Sequence, residues 1–405
     1  MMDSRTATPG RLSTVSMTLM ALSLLTACAT HAPPQVDEAR VKQFVGRGYA
    51  TDEHFSIATT FSSWRAGEYA FDLAWTTPVS GNSIPLVIYL PGLGESRTAG
   101  ENWRTAWAQA GYAVLSVQLL AEDQKAWTSD AAARRGDFGV LARERYAQEA
   151  ASSRLRALAA LLAELQKRHG DEPLLRRFDL SQVAIAGFDV GAYASMLVAG
   201  ERPKGNAPPV RLPISVAAII ALSPYADFSG SALSTRYQSI TMPVLSISGD
   251  ADSDVAGIVS SPAVRRAPFE YMPSKGAYLL WLANATHAVF SGSGLAAEEA
   301  PAEPGADRRG DSQGTRKSGS RREGRGSGNR SSGTDSGGDE TRPFGGGRPG
   351  DAATSPTDRA MNISLIQGVS TAFLDANLKQ DTIAQEWLLK DARRWIGQRG
   401  ELKQK

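Results

Sequence analysis

Short apolar runs alternate with stretches of helical periodicity through most of this chain, and that alternation restricts the folds open to it. The runs are rich in Val, Ile, Leu and Ala and lack polar alternation, which is typical of strands buried on both faces. An α/β fold with a mostly parallel sheet and helices on both faces is therefore expected. The short interval between the fourth and fifth runs indicates that there is no large cap domain. The predicted strands are Ser83–Pro91, Gly111–Gln118, Val183–Asp189, Val216–Tyr225, Met242–Asp250 and Ala277–His287.

Helical patterns occupy the intervals between these runs. The longest extends from Leu141 to Arg168, where leucines recur at helical spacing and Gly170 ends the pattern. Shorter helices are predicted at Asn102–Ala110, Gly191–Ala199, Ile363–Leu378 and Thr382–Ile396.

The N-terminus has the features of an export signal. Arg5 and Arg11 precede an apolar run, Val15–Ala27, that is too short to span a membrane. The residues LTAC ending at Cys28 resemble the lipobox of bacterial lipoproteins, which implies cleavage before Cys28 and acylation of that cysteine; an ordinary signal peptide with an incidental cysteine is the alternative. Ala29 after the cysteine resembles enterobacterial lipoproteins of the outer membrane, which implies an anchor facing the periplasm.

Composition divides the chain into five parts. Residues 1–27 are the predicted signal peptide, 28–51 a polar tether, 52–290 the core, 291–358 a disordered insertion rich in Gly, Arg and Ser, and 359–405 helices of the same core. A basic stretch within the insertion, Arg316–Arg330, is interpreted as solvated, with binding to anionic surfaces as the alternative. The oligomeric state stays open.

Charge and cysteine count exclude several classes of partner. The formal net charge of +2 gives no argument for nucleic-acid binding. One cysteine excludes an intrachain disulfide, and no Cys/His spacing typical of a metal site occurs. A small-molecule substrate is expected, with no cofactor and no metal.

The segment GFDVG, Gly187–Gly191, follows a predicted strand and precedes a predicted helix. This is the spacing of G-x-S-x-G, the turn that exposes a nucleophilic serine, but Asp189 stands at the central position. The amide of Val190, at the positive end of the following helix, is placed to stabilise an oxyanion. Taken alone, Asp189 is interpreted equally well as a helix cap.

Three further segments follow predicted strands. The glycines of PGLGES let the backbone approach a ligand closely, so the Leu93 amide is a candidate second oxyanion donor. The alternative is that this segment is a plain turn. SGDADSD supplies Asp250, Asp252 and Asp254, any of which can orient a histidine. ATHAVF supplies His287, the one histidine that follows a late strand. Sites in open α/β sheets lie at these strand ends, and the order is nucleophile, acid, base.

In this order and spacing, PGLGES, GFDVGAYASM, SGDADSD and ATHAVF resemble the α/β-hydrolase superfamily, in particular the platelet-activating-factor acetylhydrolase and dienelactone-hydrolase-like esterases. The resemblance covers about Ser56 to Trp395, less the insertion. It implies a nucleophile at Asp189, oxyanion amides at Leu93 and Val190, an acid at Asp252 and a base at His287.

An aspartate in place of serine changes the chemistry. It is ionised at neutral pH and needs no activating base, but it attacks ordinary esters poorly and suits displacement at saturated carbon. Three functions are therefore open: a lipid-anchored hydrolase of small esters using Asp189, an inactive binding protein of the same fold, and a capless relative of the dehalogenases and epoxide hydrolases, whose elbows resemble G-x-D-x-G. The ordered histidine and acid favour the first.

Overall fold

A computed structural model describes residues 35–51, 53–120, 138–203, 210–226, 231–253, 257–273, 276–293 and 354–405. Within these ranges the chain forms one nine-stranded sheet. Its strands are β1 (Ile57–Ala66), β2 (Tyr69–Pro78), β3 (Ile84–Leu90), β4 (Ala113–Leu119), β5 (Phe178–Phe188), β6 (Ala218–Leu222), β7 (Val244–Ala251), β8 (Ala277–Thr286) and β9 (Gly400–Gln404).

The α-helices connect these strands or follow them. They are α1 (Glu38–Val45), α2 (Glu101–Gln109), α3 (Phe138–Tyr146), α4 (Gln148–His169), α5 (Val190–Ala199), α6 (Leu233–Tyr237), α7 (Ala267–Tyr271), α8 (His287–Ser291), α9 (Pro356–Leu378), α10 (Thr382–Lys390) and α11 (Ala392–Ile396). Short 3-10 turns lie at Leu175–Arg177, Pro262–Arg266 and Gly397–Arg399.

The sheet is parallel at its centre and antiparallel at its edges. Its strand order is β1-β2-β4-β3-β5-β6-β7-β8-β9. All neighbours from β4 to β8 pair in parallel, whereas β1, β2 and β9 pair antiparallel. The carboxyl ends of β3, β5, β6, β7 and β8 therefore meet along one edge, where the four candidate segments begin.

Helices cover both faces of the sheet. Because side chains alternate along a strand, Ile88 of β3 packs into the cluster that contains α4 and α5, and Val87 packs into the cluster that contains α2 and α9. Continuous apolar strands are buried on both faces for this reason. The predicted α/β architecture, with helices on both faces of a mostly parallel sheet, is confirmed at this level.

The prediction of one helix from Leu141 to Arg168 is wrong. Ala147 is extended, with φ −62° and ψ 149°, and separates α3 from α4. Tyr146 at the end of α3 packs against the rings of Tyr193 and Tyr225. Tertiary contacts of this tyrosine thus override a helical pattern that continues through the break. The predicted helix Thr382–Ile396 is likewise divided, into α10 and α11 at Asp391.

The edge strands and the first helix were not predicted. Strand β1 exposes most of its side chains and β9 is short and polar, so neither gives a continuous apolar run. The predicted tether, 28–51, needs correction because residues 38–45 form α1. Phe44 holds this helix against the rest of the fold. Its ring stacks on Trp395 at 5.1 Å between centroids, and its carbonyl accepts a hydrogen bond from the Trp395 indole N–H.

The boundary of the insertion also moves. Helix α9 begins at Pro356, inside the range 291–358, with Ser355 capping its first turn, and α8 extends to Ser291. Residues 294–353 of the insertion and the predicted signal and acylation site at Cys28 lie outside the described residues. Among those that are described, no helix is long and apolar enough to cross a membrane.

Candidate active site

The segment GFDVG forms a sharp turn between β5 and α5. Asp189 has φ 54° and ψ −115°, a conformation that costs an L-residue of order 1–3 kcal/mol. A Cβ added to Gly187 would overlap the backbone of Gly191, and one added to Gly191 would overlap the Leu90 carbonyl. Both glycines therefore permit a close backbone approach, and the turn holds Asp189 in a strained position.

The Asp189 side chain does not cap α5. It makes no capping hydrogen bond with that helix. The Tyr146 hydroxyl donates to Oδ1, and the Leu93 amide donates to Oδ2 at 3.3 Å. The helix-cap interpretation therefore finds no support, and the carboxylate is held by groups from two other segments of the chain.

The two predicted oxyanion donors flank this carboxylate. Leu93 lies in the loop between β3 and α2, and Val190 directly follows Asp189 as the first residue of α5. The sequence predicts these two amides as oxyanion donors. The Leu93 amide donates to Asp189 itself, so it faces this carboxylate.

The predicted acid and base are brought together. Asp252 follows β7, and His287 follows β8 as the first residue of α8. The distance from His287 Nδ1 to Asp252 Oδ1 is 2.7 Å. Asp250 instead accepts from the Asn284 amide at 2.6 Å, and Asp254 lies outside the described residues.

Electrostatics couple these two side chains. Burial raises the pKa of Asp252, but the hydrogen bond from His287 and the charge of Arg265 outweigh it, and the pKa is lowered. Burial lowers the pKa of His287, but the hydrogen bond to Asp252 and the charge of Asp189 outweigh it, and the pKa is raised. With Nδ1 turned to Asp252, Nε2 is the nitrogen left to take a proton from water.

Three residues around Asp252 were missed by sequence reasoning. Ser223 and Ser248 donate to its carboxylate at 2.9 and 2.7 Å, and Arg265 Nε lies 3.4 Å from Oδ2. Ser223 directly follows β6, so its position at a strand end could have identified it from the sequence. Ser248 lies within β7 and had no such signal. Arg265 lies on a 3-10 turn without any motif.

Glu95, the acid of PGLGES, has no role predicted from the sequence. Its Oε2 accepts from the Gly92 amide at 2.8 Å, and its Oε1 lies 3.5 Å from the Ser293 hydroxyl. Burial raises the pKa of Glu95 to about 7, assisted by the negative charge of Asp189. A third acid therefore stands beside Asp189 and His287 and titrates near neutrality.

A cavity of about 400 Å³ opens beside Tyr146. Asp189, Asp252 and His287 do not line it, and its link to them is Tyr146, whose hydroxyl donates to the Asp189 carboxylate. The rings of Tyr193 and Tyr225 form its aromatic wall, and Arg236 and Ile258 also border it. This volume suits a small molecule.

The other described histidines lie apart from this arrangement. His169 ends α4 and bonds the Phe178 carbonyl at 2.9 Å, and His54 precedes β1. His287 instead packs its ring on Phe188 of the elbow strand, at 4.9 Å between centroids.

No protein-family model matches the chain, and a search of curated proteins finds no relative.

Proposed function

We propose that the protein is an α/β-hydrolase that cleaves small esters or related substrates, with Asp189 as nucleophile and His287–Asp252 as the base pair. The observation that carries this is the setting of Asp189. Its carboxylate stands on a strained turn and is held by Leu93 and by Tyr146, which also lines a cavity, and not by its own helix. Strain of this kind accumulates at functional sites.

The arrangement of the loops supports the hydrolase fold within the α/β class. The nucleophile position, the acid and the base follow β5, β7 and β8 in that order along the chain. The oxyanion loop follows β3, and β5 passes directly into α5 through the elbow. Chain order, elbow and oxyanion loop thus agree with one hydrolytic site.

The chemistry takes two steps. A carboxylate oxygen of Asp189 attacks the substrate and forms a covalent ester or anhydride, while the leaving group departs with the bonding electron pair. His287 then takes a proton from water, and the hydroxide cleaves the intermediate and restores the Asp189 carboxylate. The imidazolium passes its proton to the departed alkoxide or to solvent, which restores the neutral base. Asp252 stabilises the imidazolium that forms.

One contact favours displacement at saturated carbon as a second candidate function. The Leu93 amide points to Oδ2 of Asp189 and not to an empty site. When water attacks the carboxyl carbon of an alkyl–Asp189 ester, the oxyanion forms on that same oxygen, where the amide already donates. The chain has only residues 223–243 between β6 and β7, so a large cap is absent from this interval.

Export and lipid anchoring complete the proposal. Acylation at Cys28 would fix the protein in the bacterial cell envelope, on the periplasmic face of the outer membrane. Several acyl chains on one residue anchor stably, whereas one chain binds reversibly. The substrate would then be a small molecule reaching the periplasm.

The test is an activity screen of the full-length protein and of Asp189→Ser. The substrates are 4-nitrophenyl acetate, 4-nitrophenyl butyrate and styrene oxide. We expect the wild type to hydrolyse at least one of them. Asp189→Ser should hydrolyse the acetate, because Leu93, Val190, His287 and Asp252 remain to serve a serine. Inactivity of both proteins would leave a binding role and overturn the proposal.

A further inference from the structure

Arg265 is a buried cation beside the acid–base pair. It lies on the 3-10 turn Pro262–Arg266, and its side chain is 1% exposed. Its Nη1 donates to the carbonyls of Ser223 and Pro224, both at 3.0 Å, and its Nε donates to the Asp252 carbonyl at 3.2 Å. One guanidinium therefore joins the loop after β6 to the loop after β7.

These contacts hold Ser223 in place. Ser223 has φ 53°, a conformation that L-residues rarely adopt. Its hydroxyl lies 2.9 Å from Asp252 Oδ1 and 3.0 Å from His287 Nδ1. Because Arg265 binds the carbonyl of this same residue, the guanidinium fixes the backbone that carries the hydroxyl to the pair.

The charges around His287 are mostly negative. Asp252 faces it from the loop after β7, Asp189 from the elbow and Glu95 from the loop after β3. These acids favour the imidazolium, which cannot accept a proton from water. Arg265 stands on the other side of Asp252, 3.4 Å from Oδ2, and its positive charge opposes theirs.

We propose that Arg265 is a positioning residue that clamps Ser223 to Asp252 and offsets part of the negative charge that surrounds His287. The need for a neutral base rests on the proposed function. The clamp and the charge effect are properties of the folded chain and can be measured without turnover. Failure of this inference and failure of the hydrolase proposal are therefore distinguishable.

The charge effect is tested by NMR titration of histidine in the full-length protein. The chain has four histidines, and His287→Gln assigns the signal of interest. In Arg265→Gln the midpoint for His287 should rise, since the positive charge that opposes the surrounding acids is removed. The acid limb of any pH–rate profile should move in the same direction. An unchanged midpoint would overturn the charge effect.

A second variant tests the clamp. Arg265→Lys keeps a positive charge but lacks the fork that reaches two loops. Amide exchange at Ser223, whose N–H donates to the Ile247 carbonyl, should accelerate about tenfold, or about 1.4 kcal/mol of local opening. This variant carries the test if Arg265→Gln does not fold, and unchanged exchange would overturn the inference.

Arg236 provides the matched control. Its side chain is equally buried, at 1% exposure, and its Nε lies 2.5 Å from Glu201 Oε1. Arg236→Gln and Arg236→Lys disturb a buried ion pair outside the His287–Asp252 contacts. Neither variant should change the titration midpoint of His287 or the amide exchange rate at Ser223. Equal changes in these controls would show that the effects of Arg265 substitution come from general loss of packing, and would overturn the inference.

Discussion

Asp189→Asn is expected to lower kcat/KM by about 10³-fold or more on whichever substrate the wild type hydrolyses. The amide has nearly the shape of the carboxylate, and its oxygen can still accept from the Leu93 amide. It cannot form the covalent intermediate, because a neutral amide oxygen is a far weaker nucleophile than a carboxylate. The measurement is steady-state kinetics with the folded state verified by circular dichroism.

Asp250→Asn is the matched control for this loss. Asp250 lies two residues before Asp252 at the same edge of the sheet, but its carboxylate accepts from Asn284 and not from His287. Its replacement should change kcat/KM by less than about threefold, as expected for a group outside the site. Activity retained in Asp189→Asn would remove the carboxylate from the mechanism.

Glu95→Gln is expected to stabilise the protein above neutral pH. The folded state holds the pKa of Glu95 at about 7, against an ordinary value of 4.5. Between these values the folded state binds more protons than the unfolded state, so wild-type stability falls as the pH rises, and the full penalty is present above about 7. Gln has no charge to bury, and its oxygen can accept from the Gly92 amide as Glu95 does.

The gain should depend on pH. The free energy of unfolding of Glu95→Gln should exceed that of the wild type by about 1–3 kcal/mol at about pH 8. At about pH 4.5 the two proteins should be nearly equal in stability. Denaturant titrations at the two pH values measure this. Glu144→Gln, at an exposed position of α3, should show no such dependence. A Glu95 variant less stable than the wild type at high pH would contradict the buried-acid interpretation.

The sequence predicted the central sheet and the chain order of the site. Strands β3 to β8 are continuous apolar runs because both faces are covered, and such runs are visible in composition alone. His287 and the three aspartates Asp250, Asp252 and Asp254 were identified because they follow such runs, and the family resemblance selected Asp252 among the three. The contact at 2.7 Å then depends on parallel strands ending at one edge.

Features set by tertiary contacts were not predictable in this way. The break at Ala147 has no Gly or Pro, and it becomes intelligible only when Tyr146 is seen bonded to Asp189 and packed on two tyrosines. Arg265 reaches its acceptors from a turn outside every motif. Polar edge strands such as β1 lack the apolar signal that identified the others.

The central claim, that Asp189 is the nucleophile, is tested most directly by trapping its intermediate. His287→Gln keeps the carboxylate but lacks the base that activates water, so the second step should slow by about 10²–10⁴-fold. Incubated with the substrate that the wild type hydrolyses, this variant should accumulate an acyl or alkyl group on the peptide that contains Asp189, detected by mass spectrometry. An adduct on another residue, or turnover by His287→Gln at the wild-type rate with Asp189 unmodified, would contradict the account.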